Sequence, residues 1–160
     1  MTIKTLILTV GLPRAGKSTW ALAQGLPIVA VDAVRKSIYG QQYIGSAEPL
    51  VQATMQIMVR ALFDAGHDAV ILDQTNYLED IRCEWYDEKW NRLFRVFDTP
   101  KEVCVERARA DGRQELIPLI ERLAVRFEWL TEDEWFEHHT TAAHPQATGY
   151  ALPSGCGESF

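Results

Sequence analysis

A chain of 160 residues in which 47% are hydrophobic is long enough to form one domain with a substantial core, and this composition excludes a disordered protein. No apolar run approaches the roughly 20 residues of a membrane-spanning helix, and the start of the chain lacks the pattern of a secretory signal peptide. The formal net charge of −6 argues against a broadly basic surface that coats nucleic acid, although it is compatible with a local basic groove.

The first predicted element is a buried parallel strand over residues 3–10, an apolar run rich in β-branched residues. The segment from Gly11 to Ser18 then reads Gly-Leu-Pro-Arg-Ala-Gly-Lys-Ser, which matches the phosphate-binding pattern G-x-x-x-x-G-K-S/T. A predicted helix over residues 18–24 follows, so the motif has the strand before it and the helix after it that it requires. The alternative, a glycine-containing turn that binds nothing, does not account for this context.

The motif has a physical basis in phosphate binding. Gly11 and Gly16 allow a tight turn whose backbone N–H groups point at an anion, and the following helix adds the positive end of its dipole. Lys17 reaches the β- and γ-phosphates, and the Ser18 hydroxyl ligates Mg²⁺. We therefore predict that the chain binds ATP and Mg²⁺. The residues predicted to bind the nucleotide from this segment are Gly11, Pro13, Arg14, Ala15, Gly16, Lys17, Ser18 and Thr19.

Strands and helices alternate along the rest of the chain. Further short apolar runs predict strands over residues 28–31, 69–72 and 93–97. Helices are predicted over residues 46–65, 79–90, 101–110 and 118–130, with a short helix or turn over 32–39 and a loop over 41–45. This alternation predicts an α/β fold with a mostly parallel sheet of four to five strands. One domain is expected over residues 1–137, followed by an irregular tail over residues 138–160.

The long helix over residues 46–65 is apolar on two sides. One stripe repeats at i, i+3 and i+4 and consists of Leu50, Ala53, Thr54, Ile57, Met58, Ala61 and Leu62. The opposite side contains Met55, Val59 and Phe63, so we expect this helix to be covered on more than one face. The cover is either the core of the domain or another copy in a homo-oligomer. The more polar helix over residues 79–90 is expected to lie on the surface.

Two charged residues follow the second predicted strand, at the edge where parallel sheets bind their ligands. Asp32 comes directly after this strand, and Arg35 lies three residues later, on the same side of any helix that begins there. A carboxylate beside the triphosphate accepts a proton from an attacking hydroxyl, and an arginine beside it binds a phosphate of the acceptor. The alternative is a helix N-cap aspartate with a local ion pair.

Asp73 closes the third predicted strand, where P-loop proteins have the carboxylate that holds Mg²⁺, often through water. Ser18 and Asp73 are therefore the predicted metal ligands. The alternative for Asp73 is a strand-end aspartate in a turn. Thr75 and Asn76 either position the acceptor or form that same turn.

A group of arginines follows the fourth predicted strand by one helix. Phosphoryl transfer needs cations over the γ-phosphate, and a mobile segment can supply them while it excludes water. Arg107, Arg109 and Arg113 meet this need in a lid at about residues 105–118, with Gly112 as its hinge. The alternative is a solvated helix face on which the arginines pair with neighbouring glutamates.

Together these residues resemble the kinase domain of phage-type polynucleotide 5′-kinases and their small P-loop kinase relatives, which include the zeta toxins. The resemblance covers roughly residues 3–130. It implies a P-loop NTPase fold, which is a three-layer sandwich with a helical lid. In that family an acidic residue stands where this chain has Gln74, so Asp73 would serve instead.

The resemblance also implies roles for the site residues. Lys17 and Ser18 would bind ATP–Mg²⁺, and Asp32 would be the general base on the acceptor hydroxyl. Arg35 would contact the phosphate on the acceptor side. Arg107, together with Arg109 or Arg113, would clamp the phosphates of the donor.

The sequence thus predicts an ATP-dependent kinase that transfers the γ-phosphoryl group to a hydroxyl, with Asp32, Lys17 and Arg107 as catalytic residues. The preferred acceptor is the 5′-hydroxyl end of DNA or RNA. The alternatives are a kinase of a small metabolite, antibiotic or modified nucleobase on the same fold, and an NTP hydrolase or switch. No membrane partner is expected. The three cysteines lack metal-ligand spacing and predict reduced thiols in a cytoplasmic protein.

Overall fold

The computed structural model describes residues 3–40 and 44–135, and these residues form an α/β structure around one parallel sheet. The strands are β1 (Thr5–Gly11), β2 (Ile28–Ala30), β3 (Ala69–Asp73) and β4 (Asn91–Phe97). The helices are α1 (Lys17–Ala23), α2 (Val31–Tyr39), α3 (Glu48–Asp64), α4 (Glu79–Cys83), α5 (Lys101–Ala110) and α6 (Ile117–Arg126). Single 3₁₀ turns over Gly45–Ala47 and Gln114–Leu116 precede α3 and α6.

The four described strands are ordered β2-β3-β1-β4, and every neighbouring pair is parallel. The register pairs Leu8 with both Leu72 and Phe94, so the strands end at one common edge. Parallel strands require crossover helices, which explains the alternation of elements along the sequence. The predicted α/β fold with a mostly parallel sheet of four to five strands is confirmed.

Side chains of β1 alternate between two helical layers because successive residues of a strand point to opposite faces. Leu6 and Leu8 pack in the cluster that contains the buried side chains of α3. Ile7 packs on the other face with Ile71 of β3 and Ala21 of α1. The sheet therefore lies between α3 on one side and α1 on the other, which is the expected three-layer arrangement.

The structure identifies which face of the long helix packs in the core of the domain. In α3 the fully buried residues repeat every four positions and are Val51, Met55, Val59 and Phe63. In the other stripe Leu50, Ile57 and Met58 face outward and are 52%, 66% and 38% exposed, whereas Leu62 packs against the edge of the core. Within residues 3–40 and 44–135, the helix is thus covered mainly on one face. Both faces are apolar, so periodicity alone could not identify the buried one.

A correction concerns the helix predicted over residues 79–90. Only α4 is helical, and the chain then continues through turns to β4. It is also not a surface element, because Arg82 and Trp85 are buried and Trp90 is only 8% exposed. The Trp90 Nε1 group donates a hydrogen bond to the Trp85 carbonyl at 3.1 Å, which folds this segment back onto the core.

The predicted helix over residues 118–130 also ends early, at Arg126, because the next segment is held in extended form by Arg82. The guanidinium of Arg82 donates to both carboxylate oxygens of Glu134 at 2.8 and 3.0 Å. It also donates to the carbonyl oxygens of Glu128 and Trp129. A further donor bonds the Asn76 carbonyl at 3.0 Å, so the loop after β3 and the segment after α6 are tied together.

Part of two predictions lies outside the described residues: the loop over residues 41–45 is described only from residue 44, and the tail over residues 138–160 not at all. Among the helices that are described, none has the length and apolar character needed to cross a bilayer.

Candidate active site

The phosphate-binding loop begins where β1 ends, and its glycines are required by geometry. A Cβ atom on Gly11 would lie 2.9 Å from the Phe97 carbonyl oxygen, which is too close for any other residue. Gly16 has φ +105° directly before α1, in the left-handed region that favours glycine. Two backbone bonds stabilise the loop, from the Gly11 N–H to Thr75 O at 3.0 Å and from the Ala15 N–H to Leu12 O at 3.1 Å.

Lys17 is the first residue of α1 and lies folded against the loop. It is 7% exposed, and its Nζ donates to the Leu12 carbonyl at 2.6 Å. Burial of the ammonium group lowers the pKa of Lys17 to about 8, and the charges of Asp73 and Asp32 act in the opposite direction. Lys17 therefore lies within electrostatic range of both carboxylates. Ser18 is exposed beside it, as is Thr19.

Asp73 is the last residue of β3 and is oriented by a threonine that the sequence reasoning missed. Thr9 of β1 is fully buried, and its hydroxyl accepts from the Gln74 N–H at 3.2 Å. The same hydroxyl lies 3.4 Å from Asp73 Oδ1 and 2.9 Å from Gln74 O. A threonine inside an otherwise apolar strand was the available signal, since a buried hydroxyl needs a partner.

Asp32 is held in a chain of charged groups. It lies in the first turn of α2, and its carboxylate is 73% exposed. Arg35 donates from Nη1 to Asp32 Oδ1 at 2.9 Å and, from Nε and Nη2, to both oxygens of Glu48 at 2.8 and 2.7 Å. The N-cap position of α2 is Ala30, so the alternative of an N-cap aspartate is wrong, although the local ion pair exists.

Glu48 was not among the predicted site residues. It begins α3, thirteen positions after Arg35, and only the packing of α2 against α3 brings the two together. Its two parallel hydrogen bonds to the Arg35 guanidinium are the strong bidentate form of this contact. An acidic residue at a helix start has a common local explanation, so the sequence offered no signal for this role.

The two predicted acceptor residues, Thr75 and Asn76, are neighbours in the loop after β3 but lie in different environments. Thr75 is half-buried, and its carbonyl accepts the bond from the Gly11 N–H. Asn76 is fully buried with φ +47°, and its Nδ2 donates to Thr9 O at 2.8 Å. Asn76 therefore fastens this loop to β1, and the expectation that it contacts the acceptor is corrected: no part of its side chain reaches the surface.

The predicted lid contains α5 and the start of α6, and Arg107 is its arginine in contact with the phosphate-binding loop. Arg107 Nη1 donates to the Arg14 carbonyl at 3.1 Å and lies 3.9 Å from the position of a Cβ on Gly16. Arg109 is exposed further along α5. Arg113 follows Gly112 (φ +68°), the predicted hinge, and donates from Nε to Glu115.

The residues at this edge fit ATP and Mg²⁺. A glycine-containing loop that leads into a helix N-terminus suits an anion, and Lys17 and Arg107 both donate to carbonyls of this loop and supply positive charge there. Residues 3–40 and 44–135 contain no group of three or more His, Cys, Asp or Glu side chains that could enclose a metal ion. Mg²⁺ in kinases needs only one or two protein oxygens, because substrate phosphates and water complete its coordination. Ser18 and Asp73 fit that role.

The chain matches a family model and several solved structures. The model of an AAA domain matches residues 6–129. A chain in the structure of a Pnkp1/Rnl/Hen1 complex is 28% identical over 67% of this chain and 40% of that chain, with a TM-score of 0.61. A chain of the Pnkp1/Rnl/Hen1 RNA repair complex is 20% identical over 80% of this chain and 47% of that chain, with a TM-score of 0.60.

A gluconokinase from Sinorhizobium meliloti shares the fold, with 18% identity over 81% of this chain and 78% of that chain and a TM-score of 0.53. No curated protein matches the chain in sequence. The chain spans less than half the length of the two matched chains from the repair complexes, at 40% and 47%. The family match over residues 6–129 nevertheless covers most of the chain. The protein therefore belongs to the AAA domain family and has the fold of the P-loop kinases.

Proposed function

We propose that this protein is an ATP-dependent kinase that transfers the γ-phosphoryl group of ATP to the 5′-hydroxyl end of DNA or RNA. The main support is that Lys17, Asp32 and Asp73 stand at or just after the ends of three parallel strands of one sheet, so a donor site and an acceptor base share one edge. The acceptor class is supported by the 28% identity to a chain of the Pnkp1/Rnl/Hen1 complex, which a second structure describes as an RNA repair complex.

In the proposed reaction the acceptor oxygen attacks the γ-phosphorus of ATP, the bond to the β–γ bridging oxygen breaks, and ADP leaves. The Asp32 carboxylate takes the proton of the acceptor hydroxyl. Lys17 and the backbone N–H groups of the loop bind the β- and γ-phosphates. When bound, Mg²⁺ neutralises charge on these phosphates, and Ser18 and Asp73 would hold it.

The lid contributes positive charge to the transferring group. Arg107 is the first candidate, because its hydrogen bond to Arg14 O already brings it beside the phosphate-binding loop. Arg109 and Arg113 are the further candidates, and closure of the lid would bring one of them to the donor. Thr75 would contact the acceptor, since it is half-buried at the same edge of the sheet.

The ion-paired arrangement around Arg35 supports Asp32 as the base. Arg35 joins Asp32 to Glu48, so the carboxylate of Asp32 is oriented from one side while it stays 73% exposed to an incoming hydroxyl. In the nucleic-acid reaction Arg35 would in addition contact the phosphate next to the acceptor hydroxyl.

A small-molecule kinase is the second candidate, and one observation favours it. On the acceptor side a single guanidinium, that of Arg35, is shared between Asp32 and Glu48, and Asp73 adds a third carboxylate nearby. Such an acidic environment suits an uncharged hydroxyl compound better than a chain of phosphates. The net charge of −6 acts in the same direction.

The proposal includes three features beyond the reaction. The kinase domain spans residues 1–137, with its lid at about residues 105–118. The three cysteines, which lack metal-ligand spacing, support a reducing, cytoplasmic setting. The exposed apolar stripe of α3 supports a homo-oligomer.

Transfer of label from ATP radiolabelled on its γ-phosphate tests the proposal. Wild-type protein is incubated with Mg²⁺ and a DNA or RNA oligonucleotide that has a 5′-hydroxyl end. The same assay is run with Asp32→Asn and with Lys17→Ala. Asp80→Asn is the matched control, because Asp80 is also an exposed aspartate in the first turn of a helix but belongs to α4. We expect labelled oligonucleotide with wild type and Asp80→Asn, and a loss of at least about 100-fold with the other two variants.

Three other outcomes would each exclude part of the proposal. Label on sugars or other small hydroxyl compounds, but not on oligonucleotides, would reject the nucleic-acid acceptor and support the second candidate. Hydrolysis of ATP that continues in Asp32→Asn, without transfer to any hydroxyl, would identify a hydrolase or switch. Equal losses in Asp80→Asn and Asp32→Asn would remove the assignment of Asp32 as the base.

A further inference from the structure

Arg14 adopts a backbone conformation in the phosphate-binding loop that is rare for residues other than glycine. Its φ is +68°, and Asn76 is the other described non-glycine residue with positive φ. Glycine adopts this conformation without steric cost, so the backbone alone would favour glycine here. The side chain of Arg14 must therefore make interactions that compensate for the strain.

The Arg14 side chain points to the end of the lid helix. Its Nη2 forms an ion pair with Asp111 Oδ2, and the two side chains are 32% and 51% exposed. Its Nε is buried without a hydrogen-bond partner among the described residues. The guanidinium is thus held at one end by a carboxylate of the lid.

Asp111 occupies a rigid position, because it is the capping residue of α5. The Gly112 N–H bonds Arg109 O at 3.1 Å and the Arg113 N–H bonds Ala108 O at 2.7 Å, with Gly112 in the left-handed conformation. These two bonds form a Schellman motif, which fixes the helix end and the carboxylate on it. The Asp111 side chain is therefore presented to the loop by backbone geometry.

A second contact joins the lid to the loop, and in this contact the lid residue is the hydrogen-bond donor. Arg107, one helical turn before Asp111, donates from Nη1 to the carbonyl of Arg14 at 3.1 Å. Arg14 is therefore held twice, through its carbonyl by Arg107 and through its guanidinium by Asp111.

We infer that Asp111 is a positioning residue: through Arg14 it keeps the end of α5 on the phosphate-binding loop, so that Arg107 lies over the nucleotide site before ATP binds. This inference rests on the proposed function, since the lid acts in catalysis only if the loop binds a nucleotide. Ordering the lid before binding removes an entropic cost from the binding step. The pair therefore raises affinity for ATP and leaves the chemical step of bound ATP nearly unchanged.

The test compares Asp111→Asn, which removes the charge, with Asp111→Glu, which keeps it. Arg14→Gly and the double variant Arg14→Gly/Asp111→Asn complete a mutant cycle. Glu106→Gln is the matched control, since Glu106 is an exposed carboxylate on the same helix. Two quantities are measured: the Kd and KM for ATP, and the rate of amide hydrogen exchange at residues 112–113 without nucleotide.

We expect Asp111→Asn to raise the KM for ATP about two- to five-fold with little change in kcat, as suits a partly exposed ion pair. Hydrogen exchange at residues 112–113 should accelerate by a similar factor, and high salt should reduce both differences. Asp111→Glu should restore at least part of each effect. In the double variant the loss due to Asp111→Asn should largely disappear, because its partner is already absent.

The inference is overturned if wild type binds ATP and Asp111→Asn changes neither ATP affinity nor exchange more than Glu106→Gln does. It is also overturned if the effects of Arg14→Gly and Asp111→Asn simply add. If wild type binds no ATP, the proposed function fails instead. The exchange measurement without nucleotide then still decides whether Asp111 holds the lid on the loop.

Discussion

Among single residues, Lys17 is one whose chemistry is strongly altered by its surroundings. Its Nζ donates to the carbonyl of Leu12 within its own loop, and burial lowers its pKa from 10.5 to about 8. The charged form is thus less stable here than in water, although Asp73 and Asp32 support it. A phosphate group at the loop would supply the negative charge that a buried ammonium lacks. Nucleotide binding and protonation of Lys17 should therefore be coupled.

This coupling predicts that ATP affinity falls as pH rises above about 8. Bound phosphates raise the pKa of Lys17, so between about pH 8 and 10 the complex holds a proton that the free protein has lost. The affinity should decrease by up to about tenfold per pH unit in this window. Calorimetry of ATP binding at pH 7 and pH 9, in buffers of different ionisation enthalpy, measures the proton uptake directly.

The control for this prediction is Lys17→Arg, which stays charged throughout the range and should take up no proton. Wild-type affinity that is equal at pH 7 and pH 9 would contradict the prediction. The free energy of unfolding also depends on pH through Lys17. Because the pKa of Lys17 is lower in the folded protein, the unfolded chain binds more protons between pH 8 and 10.5. The contribution of Lys17 to the free energy of unfolding therefore increases as pH rises through that interval.

At the level of whole elements, α3 shows that an apolar pattern does not by itself identify a buried face. Both of its stripes contain apolar residues, and the core covers the one that contains Met55. The packing of α3 against α2, β2 and β3 determines which stripe is buried. The N-terminus of α3 also supplies Glu48 to Arg35, so the same orientation serves the core and the candidate site.

Two methionines of α3 provide a matched test of this orientation. Met55 is fully buried and Met58 is 38% exposed, so the same truncation to alanine should have different costs. Met55→Ala should lower the free energy of unfolding by about 2–5 kcal/mol, because it removes buried surface and leaves a cavity. Met58→Ala should cost less than about 1 kcal/mol. Urea denaturation of both variants measures the difference, and equal losses would show that the assigned face is wrong.

At the level of the whole molecule, the candidate site is assembled from residues that are distant in sequence. Lys17, Asp32 and Asp73 stand at or after the ends of three different strands, and they share one edge because parallel strands end on the same side of the sheet. The buried pair of Arg82 and Glu134 connects the loop after β3 to the segment after α6, and this connection stabilises the loop at that edge.

Disruption of this pair should destabilise the entire domain. Glu134→Gln would leave the Arg82 guanidinium buried without its counter-charge, and the expected loss in the free energy of unfolding is about 3–5 kcal/mol. Asp133→Asn, at the exposed neighbouring position, should change it by no more than about 0.5 kcal/mol. Thermal or urea denaturation distinguishes the two. A Glu134→Gln protein as stable as the Asp133→Asn protein would contradict the role given to the pair.

The sequence by itself determined the features that depend on residues close to one another along the chain. The phosphate-binding loop could be recognised because Gly11, Gly16, Lys17 and Ser18 belong to one turn, whose geometry follows from local backbone freedom. The α/β class followed from the alternation of short apolar runs with helical periods. Both signals are local, and both agree with the structure.

The tertiary structure alone decided the rest, because the deciding contacts join residues far apart in the chain. The sequence left two roles possible for Asn76, and only the structure shows that its side chain is buried. The structure also shows that Glu48 pairs with Arg35 and that Asp111 pairs with Arg14. It also chose the buried face of α3. In each case the local sequence is compatible with more than one outcome, and contacts with a distant element determine which one forms.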